Sequence, residues 1–339
     1  QLFVISNSIN TKYYANAGNR TGTLKQSFKQ TFYWAEKDNI TVRKLMPFAK
    51  AFLDREHLAT MIGKYMVLND TDKILMVLRP YQYYATEAIV ERVKNPPPER
   101  ANGYIWHTTG SGKTLTSFKA AQIMTALPEV DKVVFCVDRK DLDYQTIKEF
   151  NNFKQGCIDG TNNTQVLVDQ FCGHNSNSLK NEQRIDNLIV TTVQKLNTAI
   201  SSPRYLERMQ ALRDQRVVFI FDECHRSQFG DTHQRIVRFF RNHQLFGFTG
   251  TPIFAQNAVK ASLKSSSSPI EIKDSEGVYA TGQQSGSVKG TTKDLFHERL
   301  HSYVITDAIK DENVLKFAVE YVGRYKKNDG SATDIDIEV

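Results

Sequence analysis

The segment YIWHTTGSGKTLTSFKAA, residues 104–121, decides the fold of this chain. An aromatic and β-branched run comes first, a glycine-rich turn follows, and the remainder is typical of a helix. Gly110 and Gly112 permit backbone angles and a close approach that a side chain would block. In such a strand, turn and helix, the N–H groups of the turn point inward beside the positive end of the helix dipole. The backbone of Thr109, Gly110, Ser111 and Gly112 is therefore predicted to bind phosphate oxygens.

Two side chains that suit a nucleotide follow the turn. Lys113 is expected to reach the β and γ phosphates of ATP, and the hydroxyl of Thr114 to bind Mg²⁺. The segment departs from the G-x-x-x-x-G-K-[ST] pattern because His107 occupies the position of the first glycine. Since the G-x-G-K-T core is intact, we interpret the turn as a phosphate loop. A glycine-rich turn without a ligand is the alternative.

A matching acidic motif stands further along the chain, in VVFIFDECH. Its apolar run ends in the adjacent carboxylates of Asp222 and Glu223. Two acids that end a buried strand are costly unless they bind a metal or transfer protons. Asp222 is predicted to hold Mg²⁺, directly or through water, and Glu223 to orient and deprotonate the attacking water. Two solvated acids at a strand end are the alternative interpretation.

The order of apolar runs predicts the fold class. Runs that begin at Gly103, Lys132, Asn187, Arg216 and Leu245 alternate with helical segments. Several are apolar at consecutive positions, which is typical of strands covered on both faces in a parallel sheet. We predict an α/β fold with helices on both faces of the sheet and ligands at the carboxyl ends of its strands.

The first part of the chain predicts a small, mostly helical segment. Residues 2–6 are expected to form a strand, and the polar stretch that follows, up to Thr23, a loop. Residues 28–34 and 44–66 carry apolar side chains at helical spacing. The aromatic run around Trp34 could serve as a base-stacking surface, but its spacing favours packing in a core.

Composition limits the classes of partner and compartment. The 44 Lys and Arg residues against 37 Asp and Glu give a net charge of +7, which makes an anionic partner such as nucleic acid plausible. Four cysteines without a C-x-x-C pair indicate neither a zinc site nor a disulfide framework, so a reducing cytoplasm fits best. The sequence has no apolar run of membrane-spanning length. Because the first residues show no basic leader before an apolar core, we expect them to belong to the interior of a longer chain.

Three motifs in order carry a resemblance to a known family. TTGSGKT, DECH and FTGTP resemble motifs one, two and three of superfamily-two helicases and translocases. The longer strings VDRKDLDYQT, FIFDECHRSQFG and LHSYVITDAI are similar to the restriction, or motor, subunit of type I restriction-modification enzymes. The resemblance implies a RecA-like sheet, ATP-dependent translocation on double-stranded DNA, and cleavage of DNA by the full enzyme. It also implies methyltransferase and specificity subunits as partners.

The resemblance assigns roles to the matched residues. Gln82, in LRPYQ, corresponds to the residue that contacts adenine. Thr249 and Thr251 would sense the γ-phosphate, with Gly250 permitting the tight turn between them. His225 would link motif two to motif three, with a purely structural histidine as the alternative.

The resemblance also assigns contacts to DNA phosphates. The residues concerned are Arg139, Lys140, Thr191, Thr192 and Gln194. The hydroxyls are better candidates than the basic side chains, because Ser and Thr groups fix register on phosphates without charge. We expect Arg226 to form a structural salt bridge, since the family's arginine fingers belong to a later motif.

Domain boundaries follow from these assignments. Residues 1–72 are expected to be the C-terminal part of a nuclease domain with a helical linker, and residues 73–254 the first motor domain. Residues 255–296, rich in Ser and Gly, would be a flexible insertion or linker, and residues 297–339 the start of a second motor domain. The residues of the nuclease site would precede this chain.

Other functions remain open from the sequence. The motor motifs are shared with RNA helicases, so a helicase or remodeller on RNA or DNA is the main alternative, together with a nucleotide-operated scaffold. The strings VDRKDLDYQT and CHRSQFG favour the DNA translocase. A metabolic P-loop kinase is less consistent with TTVQ and TGTP, which such an enzyme does not need.

Overall fold

The computed structural model describes the following parts of the chain: residues 1–15, 31–69, 74–137, 164–172, 187–224, 229–254, 272–274, 277–279, 291–315, 321–326 and 332–337. The chain divides into two compact units, Gln1–Val304 and Ile305–Val339. Among the residues that the structure describes, none of the helices has the length and apolar character needed to cross a bilayer.

The elements follow one another in a mixed order along the chain. The strands are β1 (Leu2–Ser6), β2 (Thr11–Ala15), β3 (Trp34–Ala35), β4 (Thr41–Val42), β5 (Met66–Asn69), β6 (Ile74–Val77), β7 (Gly103–His107), β8 (Lys132–Val137), β9 (Leu188–Thr192), β10 (Arg216–Phe221), β11 (Asn242–Thr249), β12 (Ile272–Asp274), β13 (Gly277–Tyr279), β14 (Arg299–Tyr303), β15 (Tyr321–Lys326) and β16 (Ala332–Ile337). The helices are α1 (Leu45–Phe52), α2 (Arg55–Thr60), α3 (Pro80–Lys94), α4 (Lys113–Met124), α5 (Thr164–Cys172), α6 (Val193–Ser201), α7 (Pro203–Gln210), α8 (Phe229–Phe239), α9 (Thr292–Phe296) and α10 (Ile305–Lys310).

A six-stranded sheet organises the first unit. Its strand order is β14-β7-β11-β10-β8-β9, and every neighbouring pair is parallel. The buried strands β8 and β9 have no exposed position, as the consecutive apolar runs predict. The α/β fold with a parallel sheet is confirmed. Because all strands run in one direction, their carboxyl ends meet at one edge, where a ligand is expected.

Two hydrophobic cores cover the faces of this sheet. One joins α3, α4 and the first part of the chain to the sheet, with Phe118, Ile105 and Phe135 among its buried residues. The other packs α5, α6 and α7 against the opposite face, with Phe219 and Met209 fully buried. Helices therefore lie on both faces, as predicted.

The first part of the chain contains more strand than its sequence suggests. Most of the range 44–66 is helical as predicted, in α1, α2 and a π-helical turn, Met61–Tyr65, whereas Met66 begins β5. The predicted loop contains β2, which pairs with β1, so the loop prediction is wrong for Thr11–Ala15. The helix predicted at residues 28–34 is also wrong where the structure describes it, because Phe32 forms a bridge with Tyr13 and Trp34 begins β3.

Aromatic packing explains that difference. Trp34 is 1% exposed, and its ring lies 5.0 Å from that of Phe52 and 6.0 Å from that of Tyr13. The extended backbone lets Trp34 reach this cluster, and burial of such large rings outweighs a local helical preference. Core packing, rather than base stacking, is thus the role of Trp34.

The end of the first unit differs from the predicted boundary at residue 297. Helix α9 lies at the end of the predicted insertion, and its Phe296 is fully buried in the core. Strand β14, placed by sequence in a second domain, is the edge strand of the six-stranded sheet. The second unit begins at Ile305 and contains α10 and the antiparallel pair of β15 with β16.

Candidate nucleotide site

The glycine-rich turn joins β7 to α4 at the carboxyl edge of the sheet. Strand β7 ends at His107, and α4 begins at Lys113. Gly110 and Gly112 have φ of 78° and 77°, in the left-handed region that favours glycine. A Cβ atom at position 112 would also lie 2.7 Å from Nε2 of Gln82. Both glycines are therefore required by the backbone, as the sequence predicts.

Two side chains of helix α3 hold this loop. The hydroxyl of Tyr81 donates to the carbonyl of Ser111 at 2.8 Å. Nε2 of Gln82 donates to the carbonyls of Ser111 and Gly112, each at 3.3 Å, while its Oε1 accepts from the backbone of Arg79. The Gln82 side chain is nearly buried and lies on the loop itself, so its predicted contact with adenine stays a prediction. The sequence motifs do not indicate Tyr81, although it stands beside Gln82 in LRPYQ.

Lys113 and Glu223 form an ion pair at the same edge. Nζ of Lys113 lies 3.2 Å from Oε1 of Glu223, with 8% and 25% of the two side chains exposed. Asp222 directly precedes this glutamate; its backbone N–H donates to the carbonyl of Cys136, and its Oδ1 accepts from the backbone of Glu223. The fold thus brings the phosphate loop and the acidic motif together, and the lysine pairs with the second acid of that motif.

Glu223 has an unusual backbone. Its φ of 47° lies in the left-handed region, which residues with a side chain rarely adopt. Such a conformation costs about 1 kcal/mol or more and is typical of functional sites.

The third motif contacts the phosphate loop. Thr249 ends β11, is fully buried, and accepts a hydrogen bond at its Oγ1 from the backbone of Thr251 at 3.0 Å. Nε1 of Trp106 donates to the carbonyl of Gly250. A Cβ atom on Gly250 would lie 3.3 Å from Oγ1 of Thr109. The close approach of the two loops therefore depends on a small residue at position 250.

The candidate DNA contacts are only partly described. Arg139, Lys140, His225 and Arg226 lie outside the described residues. Thr191 and Thr192 end β9 and are nearly buried, at 3% and 4% exposure. Oγ1 of Thr192 accepts from the backbone of Lys195 and caps α6, which has Gln194 in its first turn. The structure therefore brings these three together at one helix start, with the Thr192 hydroxyl engaged in capping.

A cavity of about 320 Å³ lies beside the phosphate loop. Its lining includes the loop glycines, Gln82, Phe32 and Arg79, and the guanidinium of Arg79 lies 4.7 Å from the centre of the Phe32 ring. A larger cavity of about 810 Å³ lies at the opposite edge of the sheet, beside Lys132 and Asn187. The smaller cavity is the one adjacent to the residues of the site.

Comparison with known proteins identifies the family. The SWI2/SNF2 ATPase model matches residues 81–271. The C-terminal part of a putative type I restriction enzyme endonuclease, MpnIIP from Mycoplasma pneumoniae, is 41% identical over 214 residues, which are 61% of this chain and 99% of that protein. The chain belongs to the endonuclease subunits of type I restriction enzymes. Its SWI2/SNF2 ATPase domain makes it a hydrolase that uses a nucleotide.

Longer endonuclease subunits are also similar. The type I restriction enzyme SauMSSORF170P endonuclease subunit of Staphylococcus aureus is 44% identical over 334 residues, or 98% of this chain and 31% of that protein. The chain therefore spans about a third of the length of that relative. Among solved structures, a nuclease-deletion mutant of the type ISP enzyme LlaGI in complex with a DNA substrate mimic covers 70% of this chain and 20% of its own, with 17% identity and a TM-score of 0.45.

A buried histidine pair adjoins the phosphate loop of this endonuclease subunit. Nε2 of His107 lies 3.0 Å from Nδ1 of His301 on β14. Burial lowers the pKa of His107 well below its usual value, and His301 and Lys113 lower it further. Burial also lowers the pKa of His301 to about 4. In the sequence His107 stands out only as a substitute for glycine, and His301 carries no signal because its partner is 194 positions away.

This pair predicts a loss of stability in acid. Because the pKa of His301 is lower in the folded chain than its usual 6.5, the unfolded chain binds more protons between these values. The free energy of unfolding should therefore fall as pH drops, by about 2 kcal/mol from His301 alone between about pH 7.5 and pH 5. Urea unfolding at both pH values, compared with His301→Asn, measures it. An equal loss in both proteins would contradict the assignment to His301.

Proposed function

We propose that this chain binds and hydrolyses MgATP, and that the endonuclease subunit uses this reaction to translocate on double-stranded DNA. The observation that carries the proposal is the 3.2 Å pair of Lys113 and Glu223 beside the glycine-rich loop. The SWI2/SNF2 match supports ATP as the nucleotide. The sequence similarity to type I endonuclease subunits supports DNA as the polymer along which the subunit moves.

The nucleotide lies across the loop and the adjoining cavity. Backbone N–H groups of residues 109–112 bind the phosphates at the start of α4, where the helix dipole favours negative charge. The adenine occupies the 320 Å³ cavity, where Phe32 and Arg79 offer a flat surface. Gln82 reads the edge of the base from the wall of this cavity.

The residues at the edge of the sheet fit a magnesium ion. Thr114 follows Lys113 in the sequence, and Asp222 precedes Glu223. The side chains of Lys113 and Glu223 form an ion pair. A hydroxyl and one carboxylate, with phosphate oxygens and waters, match the oxygen ligands that Mg²⁺ prefers. When bound, the ion neutralises charge that develops on the phosphates.

Hydrolysis begins with an exchange of partners by Lys113. The ammonium leaves the carboxylate of Glu223 for the oxygens of the β and γ phosphates, since these carry more negative charge. Glu223 is then available to orient a water molecule and accept its proton. Thr249 and Thr251, which approach the loop through Gly250 and Thr109, sense the loss of the γ-phosphate.

Translocation on DNA requires an affinity for DNA that changes with the bound nucleotide. Thr191, Thr192 and Gln194 lie around the N-terminus of α6, where a helix dipole favours a phosphate. Arg139 and Lys140 add contacts by resemblance. In the whole subunit we further propose a nuclease site, methyltransferase and specificity subunits as partners, a second motor domain, and a cytoplasmic location.

Competition between DNA and RNA tests which nucleic acid the protein binds. We expect short duplex DNA to compete better than RNA of the same length, with binding that weakens as salt rises. Gln194→Ala should weaken DNA binding about fivefold or more, because it removes a polar contact at a phosphate, and leave ATP binding unchanged. Fluorescence anisotropy of labelled DNA at two salt concentrations measures DNA binding, and the same method with a fluorescent ATP analogue measures ATP binding.

Gln210→Ala is the matched control, because Gln210 is an exposed glutamine at the end of α7. It should bind DNA as the unchanged chain does. Preferential binding of RNA would instead support the RNA helicase. If the two glutamine substitutions changed DNA binding equally, α6 would not belong to the proposed DNA-binding surface.

A further inference from the structure

Strand β14 ends level with the start of the phosphate loop. It pairs in parallel with β7, the strand that leads into the loop, and lies at the edge of the sheet. Its register sets Ser302 opposite Trp106 and Tyr303 opposite His107. The last residue of β14 is therefore next to the residue where β7 gives way to the loop.

Three contacts connect β14 to the loop and its support. The backbone N–H of Thr108 donates to the carbonyl of Tyr303 at 2.9 Å. His301 contacts His107 through their ring nitrogens. The ring of Tyr303 stacks on that of Tyr81, with 3.7 Å between ring centres and 12° between planes. All of these side chains are buried, so the contacts are shielded from water.

Tyr81 connects β14 to the loop. Its hydroxyl donates to the carbonyl of Ser111, while its ring lies against Tyr303. Because the peptide unit is planar, a hydrogen bond that fixes the Ser111 carbonyl also fixes the direction of the N–H of Gly112. The stack with Tyr303 therefore fixes the position of the hydroxyl that holds Ser111.

The other side of β14 is also fixed. Nδ2 of Asn39 donates to the carbonyl of Ser302 at 3.1 Å. Tyr303 is fully buried, and His301 is 6% exposed. The strand end is thus held between the turn at Asn39 and the phosphate loop, so it forms a fixed support for the loop.

We propose that His301 and Tyr303, the β14 clamp, are positioning residues for ATP. They hold the phosphate loop in the conformation that receives the triphosphate, through His107 and Tyr81. The proposal rests on the proposed function, because that function makes ATP the ligand of the loop. The clamp acts on binding rather than on chemistry, since neither residue belongs to the ion pair of Lys113 and Glu223.

Removal of the stack should weaken ATP binding selectively. Tyr303→Leu is expected to raise the KM for ATP, and the Kd of a fluorescent ATP analogue, about tenfold, with kcat within about twofold, because only uniform binding is lost. Tyr303→Phe keeps the ring and should restore both values. Phe240→Leu is the matched control, since Phe240 is a fully buried ring in the other core.

A double substitution tests the route through Tyr81. Tyr81→Phe removes the hydrogen bond to Ser111 and keeps the stack, so it should also raise the Kd. Tyr303→Leu should then add little in the Tyr81→Phe background, because the two substitutions break the same connection. For the histidines, His301→Leu should raise the Kd and His301→Asn should largely restore it.

The outcomes separate the clamp from the proposed function. If the unchanged chain fails to bind the ATP analogue, the proposed function fails and takes the clamp with it. If that chain binds ATP, but Tyr303→Leu and Phe240→Leu have the same Kd, the clamp alone is overturned. Additive effects of Tyr81→Phe and Tyr303→Leu would also overturn it.

Discussion

Replacement of Lys113 by alanine is expected to lower ATP hydrolysis about a thousandfold and to weaken ATP binding, because its ammonium neutralises the charge that develops on the phosphates. The structure supplies the physical reason. The Lys113 side chain is 8% exposed, its ammonium lies 3.2 Å from the carboxylate of Glu223, and the residue begins α4 directly after Gly112. A charge in this position acts on phosphates with little screening by water. Steady-state hydrolysis and binding of an ATP analogue measure the two effects.

Lys119→Ala is a matched control for Lys113→Ala. Lys119 belongs to the same helix and is similarly buried, but its Nζ donates to the carbonyl of Met66 and to Gln122. It should lower stability and leave the Kd for ATP within about twofold, because its contacts are structural. Equal losses of ATP binding in both variants would mean that Lys113 acts through the fold of α4.

Replacement of Glu223 by glutamine should separate binding from chemistry. The amide keeps the size of the side chain but cannot accept a proton from water, so kcat is expected to fall about a hundredfold to a thousandfold. ATP binding should be unchanged or tighter, because the ammonium of Lys113 no longer has to leave a carboxylate. Single-turnover hydrolysis and the Kd for the ATP analogue together give both quantities.

Glu87→Gln is the charge-matched control for Glu223→Gln. Glu87 pairs with Lys64 at the same 3.2 Å distance, outside the nucleotide site. Its replacement removes an ion pair and a negative charge, and hydrolysis should be unaffected, because such a partly exposed pair contributes little. A Glu223→Gln protein that retains rapid turnover would assign the proton transfer to another residue.

The central sheet and its edge were predictable because each signal is local. The apolar run before Asp222 marks β10, and the turn with Gly110 and Gly112 marks the junction of β7 with α4. Since parallel strands end at one edge, the lysine after the loop and the acids after β10 were expected to meet. That meeting is observed. The particular partner of Lys113, Glu223 rather than Asp222, depends on side-chain geometry that spacing does not encode.

Other parts of the fold depend on contacts between distant residues. Trp34 lies in a run with helical spacing, yet it forms a strand because a cluster with Tyr13 and Phe52 buries its ring. Strand β14 reads RLHSY, with too few apolar residues to mark a strand of the sheet. Its place became visible only through the pairing with β7 and the contact of His301 with His107. The alternation in Thr11–Ala15, with Thr11 and Tyr13 inward, could have indicated β2.

The left-handed backbone of Glu223 makes heat resistance and turnover opposing demands at one position. Glycine adopts a φ of 47° without a steric cost, so a glycine there would relieve the backbone strain, and the gain in stability would be reduced by the loss of the ion pair with Lys113. Under the proposed function, the same change would remove the residue that accepts the proton of the attacking water. Laboratory evolution that selects for heat resistance alone would favour the loss of Glu223. Evolution that also selects for ATP hydrolysis would retain it.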